Sequence, residues 1–514
     1  MLFVLACFIA LIILFYAEED VRGWHAWNQF KQQEEARGEN FNHFSFAPPS
    51  VPDEQNFALT PIVASSYNWL LDINGKRLNP PKTNYVDRMS MTREGNISSL
   101  EWPTNYAYWA KGKMTDFEEW QNFYRAVAAK TNEFPVAPTP QSPAADVLLA
   151  LSKYDSDIEE IRKASALPYS RFPLNYSSDR PFDDILLPHL AALKRCSQVL
   201  ELRASAELEN TQSDKALDDV KLMFRLADSI HNEPFLISHL VRIALTSIAL
   251  QPVWEGQIKH KWSDAQLTEL DRVLAPLNFL NDYGFSMRNE RAGAILEIDS
   301  MRRHRDYKEA EIFFRTTRGF ADESEPSIEY SPPSKISEIL ICPAGLYSMP
   351  DGWYFENELT VAEMHRQCFL PMIDTNLQVA LPKIRNDANE YFKKLDIGPW
   401  NMIGLIFSDL SGSGRKFAYG QNSINMARVA CALERYRLAH SKYPETLDTL
   451  APQFIEKTPH DIIGGQPLRY RRTDGGRFLL YSIGWNETDD GGQIGLTEYG
   501  STDPTKGDWV WPNP

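Results

Sequence analysis

Basic residues are in short supply. Lys and Arg number 53 against 69 Asp and Glu, a formal net charge of −16. An acidic surface repels phosphate backbones and offers no basic face to anionic lipid, which counts against nucleic acid and lipid adsorption. Solubility is the ordinary use of such a charge. Cysteine is scarce too. Cys7 lies in the apolar N-terminus, and Cys196, Cys342, Cys368 and Cys431 are far apart with no C-x-x-C pair. They read as buried thiols; the alternative, in an oxidising compartment, is two disulfides in any of three pairings.

Catalytic signatures are missing as well. The chain holds no H-E-x-x-H, no G-x-S-x-G and no S-x-x-K with partners. Ser411-Gly-Ser-Gly-Arg415 lacks the phosphate-loop spacing. His231 and His239 lie eight apart across a Pro-marked break, which suits surface or capping roles better than a metal pair. Acid pairs such as Glu118/Glu119 and Glu207/Glu209 are what any acidic protein carries. No catalytic residue is assigned, and the balance leans away from an enzyme.

What is present begins with length. At 514 residues the chain exceeds one hydrophobic core, so two or three domains are expected. Apolar residues at 43% and charged residues at 24% are globular values. Pro (33) outnumbers Gly (26), which favours rigid, irregular connections.

Residues Leu2 to Ala17, LFVLACFIALIILFYA, hold no charge, Pro or Gly. As a helix they span about 24 Å, short of a hydrocarbon core of about 30 Å. Bilayer thinning and an interfacial Tyr16 would absorb the difference. A cleaved signal would want a basic start and small residues at its cleavage site, whereas no Lys or Arg precedes the run and Phe15/Ala17 fit poorly. The expectation is an uncleaved transmembrane anchor over 1–17. A long domain after a first apolar segment usually crosses, which gives N-in, C-out and a single-pass inner-membrane protein with its bulk in the periplasm.

After the anchor, 18–143 reads as a juxtamembrane helix and a Pro-rich irregular region. Trp24, Trp27, Phe30 and Lys31 make an amphipathic face that lies on the membrane or packs back on the main domain. A helix from Asp116 to Lys130 is expected, with Thr115 and Glu118 as capping box. Trp102, Tyr106, Tyr108, Trp109, Trp120, Phe123 and Tyr124 form an aromatic stretch that fills a core or stacks on sugars.

Residues 144–420 read as a helical-hairpin domain with a long loop at 311–358, and 144–310 carry its clearest pattern. Ala144–Ser165 reads as one helix, followed by Phe182–Asn210, Asp214–His231, Pro234–His260 and Ser263–Leu274. Pro234 marks a first turn and Ser263-Asp-Ala-Gln266 a capping box. Helical pattern resumes from Leu359 to about Leu395, then through Trp400 and Phe407. Short turns imply stacked antiparallel hairpins, although no clean 34-residue repeat appears. The fold class is therefore mainly α, with an N-terminal transmembrane helix and a small α+β module over 421–514.

That module opens with helix Met426–His440, stopped by Tyr443-Pro444. Asp461-Ile-Ile-Gly-Gly-Gln-Pro-Leu-Arg-Tyr470, a strand from Arg477 through Tyr481-Ser-Ile-Gly484, and the acidic loop Asp489-Asp490-Gly491-Gly492 follow. This order resembles the globular head of type II secretion major pseudopilins over roughly the last 90 residues. Those proteins carry a prepilin-peptidase site and a helix continuous with the head; here the apolar helix lies more than 400 residues upstream without that site, so a processed filament subunit is not expected. The whole layout also resembles membrane-anchored proteins of the planctomycete and verrucomicrobial kind, which supplies no activity. The pseudopilin resemblance implies calcium, with Asp489, Asp490, Asp503 and Asp508 as its candidate ligands. The plain alternative is an acidic β-turn.

Three functions follow as expectations. The first is a non-enzymatic scaffold or interaction protein with an envelope protein as partner. The second is an envelope glycan-binding or glycan-processing enzyme using Trp102, Trp109 or Trp353. The third, an accessory component of a secretion or pilus-like system, rests on the C-terminal resemblance alone.

Overall fold

The computed structural model describes residues 2–67, 107–131, 133–178, 185–305, 348–384, 410–497 and 502–513, with Met89, Pro103 and Tyr391 as isolated positions. The sequence readings at Trp102, Tyr106, Cys342, Trp400, Phe407 and most of the 311–358 loop, and the turn-type pairs Asn74–Gly75 and Gly95–Asn96, lie outside the described residues. The protein is mostly helical with a small strand content.

The first helix, α1 (Leu2–Ala36), runs without a break from the apolar segment into the domain. Its first fourteen residues are exposed; Gly23, Trp27, Phe30 and Glu34 are buried one helical turn apart. Two helices, α2 (Phe117–Lys130) and α3 (Pro143–Leu151), pack on each other, with Arg125 holding buried Asp146 at 2.6 Å. The expected capping box at Thr115 is corrected. The N-cap is Asp116, whose carboxylate accepts from Glu119 N. Thr115 instead gives both its N–H and its hydroxyl to Glu255. A tertiary partner took the residue that local pattern assigned to the cap. The single helix expected over Ala144–Ser165 is also interrupted: α3 ends at Leu151, a 3-10 turn spans Ser152–Tyr154, and α4 runs Asp155–Ala164.

Four helices form the central stack: α5 (Pro188–Glu209), α6 (Ser213–Asp228), α7 (Leu236–Ile258) and α8 (Asp264–Leu274). The α5–α6 connection is three residues, and α5, α6 and α7 all touch one another. The Ser263/Gln266 capping box forms as read. Pro234 stays outside α7; the first exposed N–H of that helix, on Leu236, is instead satisfied by Glu290. By length and apolarity α7 is long enough to cross a membrane, but 61% of its most apolar window is buried, so it serves as the core helix.

Next comes α9 (Phe279–His304), a helix the sequence pattern did not announce. Its buried face carries Asn289, Arg291 and Glu297 among its apolar residues, which breaks the period. The following helix, α10 (Asp351–Met364), occupies positions read as the end of the long loop. It continues into a π-turn, His365–Phe369, and a hairpin of β1 (Ile373–Asp374) and β2 (Val379–Ala380).

The last long helix, α11, begins at Ser411 rather than Met426 and ends at His440. It runs unbroken across residue 420, where the sequence suggested a boundary. It lies against α7, α8 and α9. Gly414 and Gly420 leave room for Met372 and Ile243; a Cβ on Gly420 would sit 2.9 Å from Ile243. Three strands then form an antiparallel sheet in the order β3 (Arg469–Thr473), β4 (Arg477–Ser482), β7 (Trp509–Trp511). A second ribbon pairs β5 (Ile494–Leu496) with β6 (Thr502–Gly507). Buried Asp461 ties the preceding loop to the end of β4 through Ile463 N, the Ser482 hydroxyl and Ile483 N.

The β7 end is driven into the helical domain. Trp511 meets Trp109 with ring centres 5.0 Å apart, Trp254 Nε1 donates to Pro512 O, and Trp509 packs edge-on against Tyr419. Among the described residues Cys196, Cys368 and Cys431 are buried and Cys7 is exposed.

Candidate functional site: the junction of the apolar run and the domain

The most specific surface feature is the place where α1 leaves its apolar run and enters the domain. Leu2 is 85% exposed and Leu14 65%, so the run projects free of the fold. Contacts begin at Phe15, which meets Trp353 edge-on at 6.3 Å, and at Tyr16, whose hydroxyl donates to Ser348 O. One turn on, Glu19 accepts from Trp353 Nε1 at 2.8 Å. Asp20 accepts from Gly352 N at 2.9 Å and so caps α10 from another helix. Pro350, at the local cap position, has no side-chain group to do this. Arg22 closes the set on Glu19 at 2.5 Å and Glu356 at 2.7 Å.

Between these pairs the helices touch backbone to backbone. A Cβ on Gly23 would lie 2.1 Å from Gly352 O, and one on Gly352 would lie 1.9 Å from Glu19 O. Neither position has room for a side chain. A glycine inside a helix costs about 1 kcal/mol relative to alanine, so two of them at one crossing mark a required close approach.

Beyond the crossing, Trp27, Phe30 and Phe41 form an aromatic cluster, with Arg366 over Phe30 and Arg291 over Phe41. Glu39 receives Arg288 and Arg291. Burial works to raise its carboxyl, but the two guanidinium groups outweigh it and hold it below the usual range. His365, fully buried in the π-turn, is pushed down to about 3 by burial and by Arg291, so its ring is neutral. Glu358, also buried, is pushed up to about 8 by burial and then by Asp299. Chemically this interior holds a helix firmly and titrates near neutrality.

That titration has a sign. The folded state keeps the Glu358 proton that the unfolded chain gives up near 4.5. Its stabilising contribution is full below 4.5 and is lost as pH rises toward 8. Glu358→Gln should therefore gain roughly 1–3 kcal/mol over wild type at pH 8 and almost nothing at pH 4.5. Urea midpoints at the two pH values check it; an equal effect at both would exclude titration of this group.

The four sequence-assigned carboxylates sit in the C-terminal module. Asp508, 1% exposed, accepts from Asp490 N and Gly492 N and so holds the acidic loop. Burial, with Asp489 and Asp490 close by, raises its carboxyl despite those donors. Asp489 takes Gly491 N, the Tyr481 hydroxyl and Arg469. Asp490 takes Asn486, and Asp503 takes Thr505 and Lys506. Asp489, Asp490 and Asp508 thus come together around one loop, whereas Asp503 is engaged locally on β6. All four carboxylates are occupied by protein donors. Among the described residues no group of three His, Cys, Asp or Glu is arranged to hold a metal.

The aromatic candidates are spent on packing. Trp109 is 1% exposed and Trp353 is bound to Glu19. Trp120, Phe123 and Tyr124 are core. His231 hydrogen-bonds Asp228 O at the surface, while buried His239 bonds Glu233 O, so the two do not converge. Sequence reasoning missed Gly23, Gly352 and Asp20; the available signal was a glycine interrupting each helix just before a tryptophan.

Comparison with protein-family models, with curated proteins and with solved structures gives no match.

Proposed function

We propose that this chain is a membrane-anchored scaffold or interaction protein of a bacterial envelope, with its bulk in the periplasm. The observation that carries the reading is the continuity of α1: one helix is exposed apolar surface over Leu2–Phe15 and domain core at Gly23, Trp27 and Phe30. A segment that served only for export would have no use for so exact a seat on α10. Helical stacks of this kind present extended surfaces to protein partners.

Alkaline phosphatase fused after Pro514 tests location and topology. Active fusion in a carbonate-resistant membrane pellet is expected. Inactive fusion overturns the topology, and release of a protein shortened near Ala17 overturns the anchor. A cross-linking search from the membrane-bound chain tests the partner; recovery of envelope glycan in place of protein would favour the enzyme reading.

A calcium-dependent C-terminal module is a second reading, favoured by the mutual pressure of Asp489, Asp490 and Asp508. A bound cation would displace Arg469 and the loop N–H donors from these carboxylates. On that reading, calcium restored after chelation raises the melting temperature of wild type and not of Asp489→Ala. An unchanged wild-type melt removes it.

A further inference from the structure

The exposed face of α1 does not stop where the apolar run stops. Leu14, Ala17, Val21 and Trp24 follow one another at three- and four-residue steps along one side of the helix. Val21 is 68% exposed and Trp24 54%. The charges that end the run are turned aside. Glu19, Asp20 and Arg22 are paired to Trp353, Gly352 and Glu356 of α10. Glu18 and His25 flank the stripe and are exposed, with Glu18 lying 3.8 Å from Arg22.

We propose that the Val21–Trp24 face of α1 lies in the headgroup layer of the bilayer, so that the domain is seated against the membrane rather than held off it. The inference rests on the anchor reading and deepens it. Leu2–Ala17 cover about 24 Å at 1.5 Å per residue, and Leu2–Trp24 cover about 34 Å. The hydrocarbon core is about 30 Å thick and the headgroup regions bring the total to about 40–45 Å. With Leu2 at one edge of the core, a straight helix therefore reaches the other edge near Val21 and carries Trp24 about 4–5 Å into the headgroup layer. It has reason to stay straight: the Gly23/Gly352 contact and the Asp20 cap clamp it at that depth. Tryptophan is the residue most at home there, with an apolar body and one N–H, and headgroups tolerate Glu18 and His25. The occupant of this face is lipid, continuous with the lipid around the run.

The test uses the full chain in phosphatidylcholine–phosphatidylglycerol vesicles, with Cys7→Ser as background. Single cysteines replace Ile9, Trp24 or Thr449 and carry an environment-sensitive fluorophore; background protein without an added cysteine is subtracted. Position 9 should be quenched by deep spin-labelled lipid. Position 24 should be quenched at least twofold more by shallow spin-labelled lipid than position 449, and be correspondingly protected from iodide. A dry position 9 with a position 24 as open to iodide as 449 overturns this inference alone. A wet position 9 overturns the anchor reading with it. Protection at 24 without lipid quenching means another copy of the chain covers the face, which also overturns it.

Discussion

Gly23→Leu should undock α1 from its seat on α10. The new side chain would start 2.1 Å from the Gly352 carbonyl, where only the backbone of α10 could yield. Separating the helices also costs the Asp20 cap, the Trp353–Glu19 bond and the Arg22–Glu356 pair. Overpacking alone costs about 1–3 kcal/mol, and backbone-on-backbone overlap belongs at the upper end or beyond. With the lost cap, worth about 1 kcal/mol, a total near 3–4 kcal/mol is expected. On the proposed anchor reading the variant stays membrane-bound, since Leu2–Ala17 are untouched, yet it should become open to trypsin at Arg22 and Lys31. Wild-type resistance at those sites in the variant would show that the crossing tolerates a side chain. Gly352→Leu should reproduce the effect from the other helix.

Trp511→Ala should be the second large loss, at about 3–5 kcal/mol. The indole is 1% exposed, lies against Trp109, and ends the strand that pairs Val510 with Tyr481. Its removal opens a void between the sheet and α7 and loosens the Trp254–Pro512 bond beside it. A fall in urea midpoint of that size, with the Trp109 surroundings newly accessible to iodide, is the expected outcome. A loss under about 1 kcal/mol would mean the module docks elsewhere.

The central stack was legible because its helices are amphipathic and their ends carry local chemistry. Ser263 and Gln266 announce a capping box, and the box is there. Strand β4 was visible in Arg477–Ser482 for the same reason. Elsewhere tertiary partners overrode the local signal. Thr115 looks like a cap until Glu255 claims it. Helix α9 buries Asn289 and Arg291 and so loses its apolar period. Helix α11 starts in Ser-Gly-Ser-Gly, poor helix formers that hide its first turns, but Gly414 supplies the smallness needed beside Met372. The acidic loop was found, and its acidic members do come together at Asp489, Asp490 and Asp508, but Asp508 serves it from inside the module by accepting N–H groups from residues 16 and 18 positions away. The junction was not read: the Gly-Trp pairs at Gly23 and Gly352 mark each helix, but Asp20 and Gly352 are separated by 332 residues and nothing local predicts that they meet.

That separation sets an order on synthesis. Helix α1 is made first, but its seat on α10 exists only once residue 364 has been made, and the sheet is closed only when Trp511 has emerged to meet Trp109. Until then Gly23, Trp27 and Phe30 have no cover on this side and the Trp109 turn has no lid. A nascent chain of this protein therefore spends most of its elongation time unable to complete either end of its fold. Its dependence on holding factors should fall steeply over the last hundred or so codons, because long-range contacts form late and their surfaces stay open to aggregation meanwhile.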